Sequence, residues 1–282
     1  MLVFLPNLLK NPAGKNFAIQ SINLFIPGKI DFEELNLQWN GPQKIKGIIL
    51  KTPDQQEALR IKEVDTDFSL FDLLFGQDIP KKLKINQSKF SPIDKDKSSN
   101  LEQAIGYNFT NKTRHSIQKV ISLFGDQIDA SYFGKIKLDQ GPIQIMIKGS
   151  NGFVKIDGKI SENKFTLNLP LEAQFNITPE ISNLFFSKNI PLLKYAIASE
   201  RPVTLKILPE NFSFPIRHFD LNQLTFKEAS IDFGKLKFEN HDEFKTYLNY
   251  ISNQLDQIDI WFTPIYFKLN QSLLSIHRFD FL

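Results

Sequence analysis

At 282 residues, with 34 Lys+Arg against 31 Asp+Glu, the chain is nearly neutral and long enough for one large or two medium β domains. Its basic residues are scattered along strands rather than gathered, which argues against nucleic-acid binding, and the absence of cysteine excludes disulfides, thiol catalysis and cysteine-ligated metal. No stretch reaches the ~20 apolar residues needed to cross a bilayer. The 27 Phe beside 2 Met and 2 Trp fit a demand for bulky β-formers together with A/T-rich codon use.

Residues 1–9 open apolar with no basic residue before them, so they make a poor signal peptide. They read either as the outer end of an anchor helix that starts upstream or as a short helix packed on a sheet edge. From Gly28 to Trp39 apolar residues alternate, with one step out of phase at Glu33-Glu34 that reads as a β-bulge. Further strands are expected near 44–51, 58–67 and 82–90, separated by turn signals at Gly41-Pro42 and Thr52-Pro53-Asp54. Residues 69–76 carry a cap, an apolar run and a closing Gly, and read as a short helix beside this sheet. Together these make an N-terminal β-unit over 1–90.

Residues 91–113 turn polar and read as a mobile excursion and internal boundary. The third segment, 114–282, opens with a short amphipathic helix at 114–124. Strands then resume at 127–138, 143–148, 153–160 and 164–176, the last a clean alternation of Phe165, Leu167, Leu169, Leu171, Ala173 and Phe175. Thr178-Pro179-Glu180 opens a helix towards Ser187, and a further helix is expected at 242–255. Strands are expected near 202–208, 223–238, 257–262, 264–270 and 273–282. The last stops mid-pattern on Phe279-Asp280-Phe281-Leu282, which reads as a sheet truncated at its C-terminal edge. The fold class is therefore mainly β: an antiparallel meander forming a long curved sheet with a few short helices.

Catalytic signatures are lacking. The four histidines at 115, 218, 241 and 277 are far apart and in no metal-ligand spacing, and no G-x-S-x-G elbow, P-loop or G-x-G-x-x-G occurs. Charges such as Glu33-Glu34 and Arg278-Phe279-Asp280 lie in strands, where a solvent-facing role is the ordinary one. No enzyme, cofactor or metal site is expected.

The opening Ile22-Asn23-Leu24-Phe25-Ile26-Pro27-Gly28, the strand ending at Trp39, the strand 45–51 with its Pro53-Asp54 turn, and residues 58–75 resemble the start of AsmA/TamB-like bacterial envelope proteins. The tail, in Gly234-Lys235-Leu236-Lys237-Phe238 and Trp261-Phe262-Thr263-Pro264-Ile265-Tyr266-Phe267, resembles long members of that group more loosely. The resemblance implies an inner-membrane anchor preceding the chain, a periplasmic location and a taco-like groove. It also implies a part in phospholipid transport and outer-membrane assembly, with the inner and outer membranes or another envelope protein as partners. An apolar concave sheet can solvate acyl chains, each buried CH₂ contributing ~0.8 kcal/mol, and such a groove needs no catalytic residue. Its expected lining is Ile30, Phe32, Leu35, Leu37, Trp39, Phe165, Leu167, Leu169 and Leu171. Sequence leaves two alternatives open: the apolar face is an ordinary closed core, or the protein is a non-catalytic scaffold that docks partners by strand addition.

Overall fold

In the computed structural model, residues 5–75, 79–90, 99–107, 123–125, 127–186, 194–216, 224–238, 259–261, 263–270 and 273–278 are described. Among the described residues the fold is mainly β, with 51% in strands and 18% in helices, and its ladders are antiparallel. The chain divides into two compact units, Met1–Ser150 and Asn151–Leu282, a division that falls well after the 91–113 boundary expected from sequence.

The first unit begins with α1 (Leu5–Lys10) and α2 (Pro12–Asn23). Sequence reasoning foresaw at most a helix over 1–9 and missed α2. Its start is nevertheless written in Asn11-Pro12: Asn11 Oδ1 accepts from the Gly14 N–H at 2.8 Å, and proline occupies the first turn, where it costs no hydrogen bond. The strands follow as β1 (Lys29–Asp31), β2 (Glu34–Asn36), β3 (Gln43–Lys51), β4 (Glu57–Thr66), β5 (Lys81–Phe90), β6 (Gln127–Gly134) and β7 (Gly141–Gly149). Their spatial order is β1-β3-β4-β5-β6-β7, with β2 also on β3. At the outer side of β1 the Asn23 amide imitates a neighbouring strand. It accepts from the Ile30 N–H at 2.7 Å and donates to the Ile30 carbonyl at 3.2 Å, covering an edge that would otherwise invite pairing.

The step at Glu33-Glu34 is part of a longer irregularity. β1 and β2 meet β3 in a single register (Ile30↔Leu50, Leu35↔Ile45), so no residue is inserted between them. Instead the apolar phase slips by one in each of three consecutive strands: from Ile45 to Ile48 in β3, from Val64 to Ile61 in β4, and from Ile85 to Ser88 in β5. At that line Gly47 and Gln87 have left-handed backbone, with φ of 64° and 49°, and the β5–β6 register shifts.

Helix α3 (Leu70–Phe75) follows β4, and α4 (Asn100–Ile105) lies within the region read as a polar excursion. Ser99 and Glu102 form a capping box, in which Ser99 Oγ accepts from the Glu102 N–H at 3.2 Å and the Ser99 N–H donates to the Glu102 carboxylate at 2.8 Å. Gly106 closes α4 with φ 72°, and the Gly28 N–H donates to the Ala104 carbonyl at 2.9 Å. Residues 1–4, 91–98 and 108–113, most of the helix expected at 114–124 and all of that at 242–255 lie outside the described residues.

In the second unit the main order is β8-β10-β12-β14-β17-β18. These strands are β8 (Gly152–Ser161), β10 (Leu171–Phe175), β12 (Val203–Ile207), β14 (Phe226–Asp232), β17 (Ile265–Asn270) and β18 (Leu273–Arg278). β9 (Lys164–Leu167) joins β8 to β13 (Phe214–Pro215), while β11 (Ile197–Ser199), β15 (Lys235–Phe238) and β16 (Asp259–Trp261) form a separate three-stranded sheet beside α5 (Pro179–Phe186). The expected single strand over 164–176 is two strands. The Asn168 N–H still donates to the Asp157 carbonyl at 2.9 Å, but Pro170 has no N–H to continue the ladder, and the expected strand over 223–238 divides between two sheets. One face is apolar along the row Leu171–Ile207–Ala229–Phe267, and its neighbour Lys155–Glu172–Lys206 alternates in charge.

Replacing Gly47 by Val puts a β-branched residue at positive φ with its Cβ against the Glu33 side chain. This should lower unfolding free energy by about 1–2 kcal/mol. Urea denaturation reads it directly, and an unchanged midpoint would remove the left-handed backbone at Gly47 from the account.

Candidate functional site

The nine expected lining positions separate into distinct environments. Phe32, Leu35 and Leu167 are buried. Ile30 is half-buried and packs with the cluster of Leu50, Ala58 and Ala104, so α4 fills the space beside it. Phe165 and Leu171 pack against Leu167, Phe212, Phe226 and Ala229, with the Phe165 and Phe212 rings edge-to-face at 5.9 Å. Leu169 lies in the Asn168–Pro170 interruption and is 49% exposed. Leu37 and Trp39 are half-buried at the end of β2, next to α3.

The side chains that do face solvent are elsewhere. Leu24 and Phe25, at the end of α2, are 84% and 87% exposed, and α3 presents Phe71, Leu73, Leu74 and Phe75 to solvent, the last at 68%. The Phe71 and Phe75 rings lie 4.6 Å apart, one helical turn from each other. Sequence reasoning found this helix and read it as plugging or flanking the sheet, because its LFDLLF run gives no sign of which apolar side chains stay outside.

A polar device holds α3 in place. The Ser69 N–H and Oγ–H donate to the Asp72 carboxylate at 2.6 and 2.7 Å, and the Asp72 N–H donates back to Ser69 Oγ at 3.1 Å. Lys81 of β5 forms an ion pair with the same carboxylate, which is only 1% exposed. The carbonyls of Gln38 and Trp39 accept from the Leu70 and Phe71 N–H groups at 3.0 and 3.2 Å. The Lys81 hydrogen bond, aided by those from Ser69 and opposed by burial, holds the Asp72 carboxyl below the usual carboxylate range.

Next to the start of α3 the polar face of the sheet forms a cleft of about 460 Å³. One wall is the cross-strand row Asn36–Lys44–Asp65–Lys84. Lys44 Nζ bridges Glu63 at 2.8 Å and Asp65 at 3.4 Å, and its pKa is raised chiefly by the Glu63 hydrogen bond. Burial, then the neighbouring Glu63, pushes the Asp65 carboxyl upward. Lys82, Lys84 and Asp67 also line the cleft and make no ion pair among the described residues. Asn36 Oδ1 is buried there without a hydrogen-bond partner among the described residues. Gln43, itself buried, holds the floor by donating to the Gln38 carbonyl at 2.8 Å and accepting from the Gln38 N–H at 2.7 Å.

No group of three His, Cys, Asp or Glu side chains among the described residues could hold a metal ion, and no described helix is long and apolar enough to cross a membrane. No protein-family model matches the chain, and no curated protein matches it.

Because the Asp72 pKa is depressed in the folded state, its contribution is complete above the unfolded value of about 3.9 and disappears as pH falls through the lower folded value. In a Trp261→Phe background, which leaves Trp39 as the sole tryptophan, emission should hold steady down to about pH 4 and shift to the red below it as α3 loosens. Emission that changes only with global unfolding would disconnect α3 from Asp72.

Proposed function

We propose that this chain is a non-catalytic lipid-handling protein of a bacterial envelope. In this reading it binds phospholipid acyl chains on the apolar side of its sheet and on the helices beside it, and so contributes to lipid transport and outer-membrane assembly. A periplasmic position belongs to the same reading. The observation that carries it is the apolar surface left facing water: Leu24 and Phe25 just after α2, and Phe71, Leu73, Leu74 and Phe75 on α3, with Leu37 and Trp39 half-buried next to α3. Exposed apolar groups on this scale mark a contact with something apolar. Each acyl methylene removed from water there contributes ~0.8 kcal/mol, so several together suffice for weak, renewable binding. The resemblance of residues 22–90 to the opening of AsmA/TamB-like proteins points the same way.

A second reading, docking of a protein by strand addition, draws on β18. It ends the main strand order of the second unit, and its Leu273 and Ile276 are exposed. The β1 edge suits this less, because the Asn23 amide already occupies its backbone groups at Ile30.

Native mass spectrometry with lipid extraction, on the chain purified from a bacterial envelope, tests the lipid reading. Folded protein should carry heterogeneous phospholipid, and Leu37→Asp should lose it while keeping the melting temperature. Lipid-free protein would overturn the reading and leave strand addition in its place.

A further inference from the structure

We propose that α3 and the adjoining cleft together form a docking site for a phospholipid bilayer surface, with α3 entering the acyl boundary and Lys82 and Lys84 taking lipid phosphates. This deepens the lipid reading above and rests on it. Three features of the first unit converge on it. Phe71, Leu74 and Phe75 recur at i, i+3 and i+4, so they share one face of α3, and all are exposed. A six-residue helix does not persist by itself, yet this one is fixed by the buried Asp72 carboxylate between Ser69 and Lys81. Its apolar face is therefore presented already ordered, and insertion loses little conformational freedom.

The charges complement a headgroup layer. Lys82 and Lys84 alternate along β5 with Lys81, so they lie on the sheet face opposite the α3 anchor; the two sides meet at the sheet end, where Gln38 lines the cleft and its carbonyl accepts from the Leu70 N–H at 3.0 Å. Both ammonium groups are exposed and free of ion pairs among the described residues, whereas Lys44 in the same cleft is held by Glu63 and Asp65. Free cations at the same sheet end as an apolar projection suit a surface that is apolar inside and anionic at its rim. The cleft also offers the exposed Asp67 carboxylate, an acceptor suited to the ammonium or hydroxyl donors of a headgroup.

Flotation with vesicles of phosphatidylethanolamine and phosphatidylglycerol tests the site on the full chain. Wild-type protein should float with these vesicles and not with pure phosphatidylcholine. The exposed pair Leu74→Ser and Phe75→Ser should cut partitioning at least ~10-fold. Lys82→Glu with Lys84→Glu should cut it by roughly 5-fold or more per lysine at low salt. Lys268→Glu, on the second unit, should have no effect, and inorganic phosphate should weaken flotation no more than chloride of the same ionic strength. Failure of wild type to float, or undiminished flotation of both paired variants, overturns the proposal, as does displacement by phosphate beyond that by chloride of the same ionic strength. Lipid-bearing protein that does not float leaves the lipid reading standing without this site. Lipid-free protein that floats through α3 keeps the site and removes bound acyl chains from the account.

Discussion

The register of β3 against its neighbours is the constraint on which the first unit depends. β3 holds β1 and β2 along one side and β4 along the other. Because side chains alternate with a period of two, a slip of one residue would exchange the apolar row Leu35–Ile45–Val64–Ile85–Ala130–Ile147 for the polar row Asn36–Lys44–Asp65–Lys84–Ser131. The same register that aligns this half-buried apolar row therefore makes the cleft: Asn36, Lys44, Asp65 and Lys84 stand in line because Leu35, Ile45, Val64 and Ile85 do. The slip of phase through Gly47 and Gln87 ends this arrangement and leaves the row Ile30–Leu50–Leu59–Phe90 to meet α4.

The Asp72–Lys81 pair has a different kind of importance. Removing a carboxylate from water is costly, and an ion pair in such a place seldom adds net stability over an apolar pair of the same shape. What it provides is position. The Ser69 N–H and hydroxyl converge with the Lys81 ammonium on one carboxylate oxygen, Oδ2, and the Gln38 and Trp39 carbonyls take the first helical N–H groups. In an ordinary amphipathic helix the apolar side chains fix the helix and the polar ones face water. In α3 the roles are exchanged: polar groups fix it, and Phe71, Leu74 and Phe75 are left outside.

Much of the fold was legible because the strands carry a period of two punctuated by turn residues. β3, β4 and β5 begin and end within a residue or so of their expected limits, with Gly41-Pro42 and Pro53-Asp54 between them. Misreadings occurred where one local signal hid another. The charged run at 94–97 masked the Ser99-x-x-Glu102 capping box that starts α4, the apolar opening of the chain masked Asn11-Pro12, and the alternation from Phe165 to Phe175 masked Pro170. The site was less legible for a deeper reason. Alternation tells which side chains share a face, and the residues that cover that face come from distant sequence: Ala104 beside Ile30, Phe212 beside Phe165. Nothing near Ile30 or Phe165 in sequence announces either partner.

That distinction bears on where an apolar ligand can be accommodated. A face already filled by its own side chains admits an acyl chain only by displacing them, and close packing makes such displacement expensive. Leu167, buried among Phe212, Phe226 and Ala229, thus serves folding before anything else, and a charge placed there damages both. The apolar groups of α3 carry no such double duty. They can be exchanged without opening a cavity, because the helix owes its place to Asp72 and Lys81. A contact surface mounted on polar supports keeps recognition separate from stability, whereas an apolar strand face makes the two inseparable.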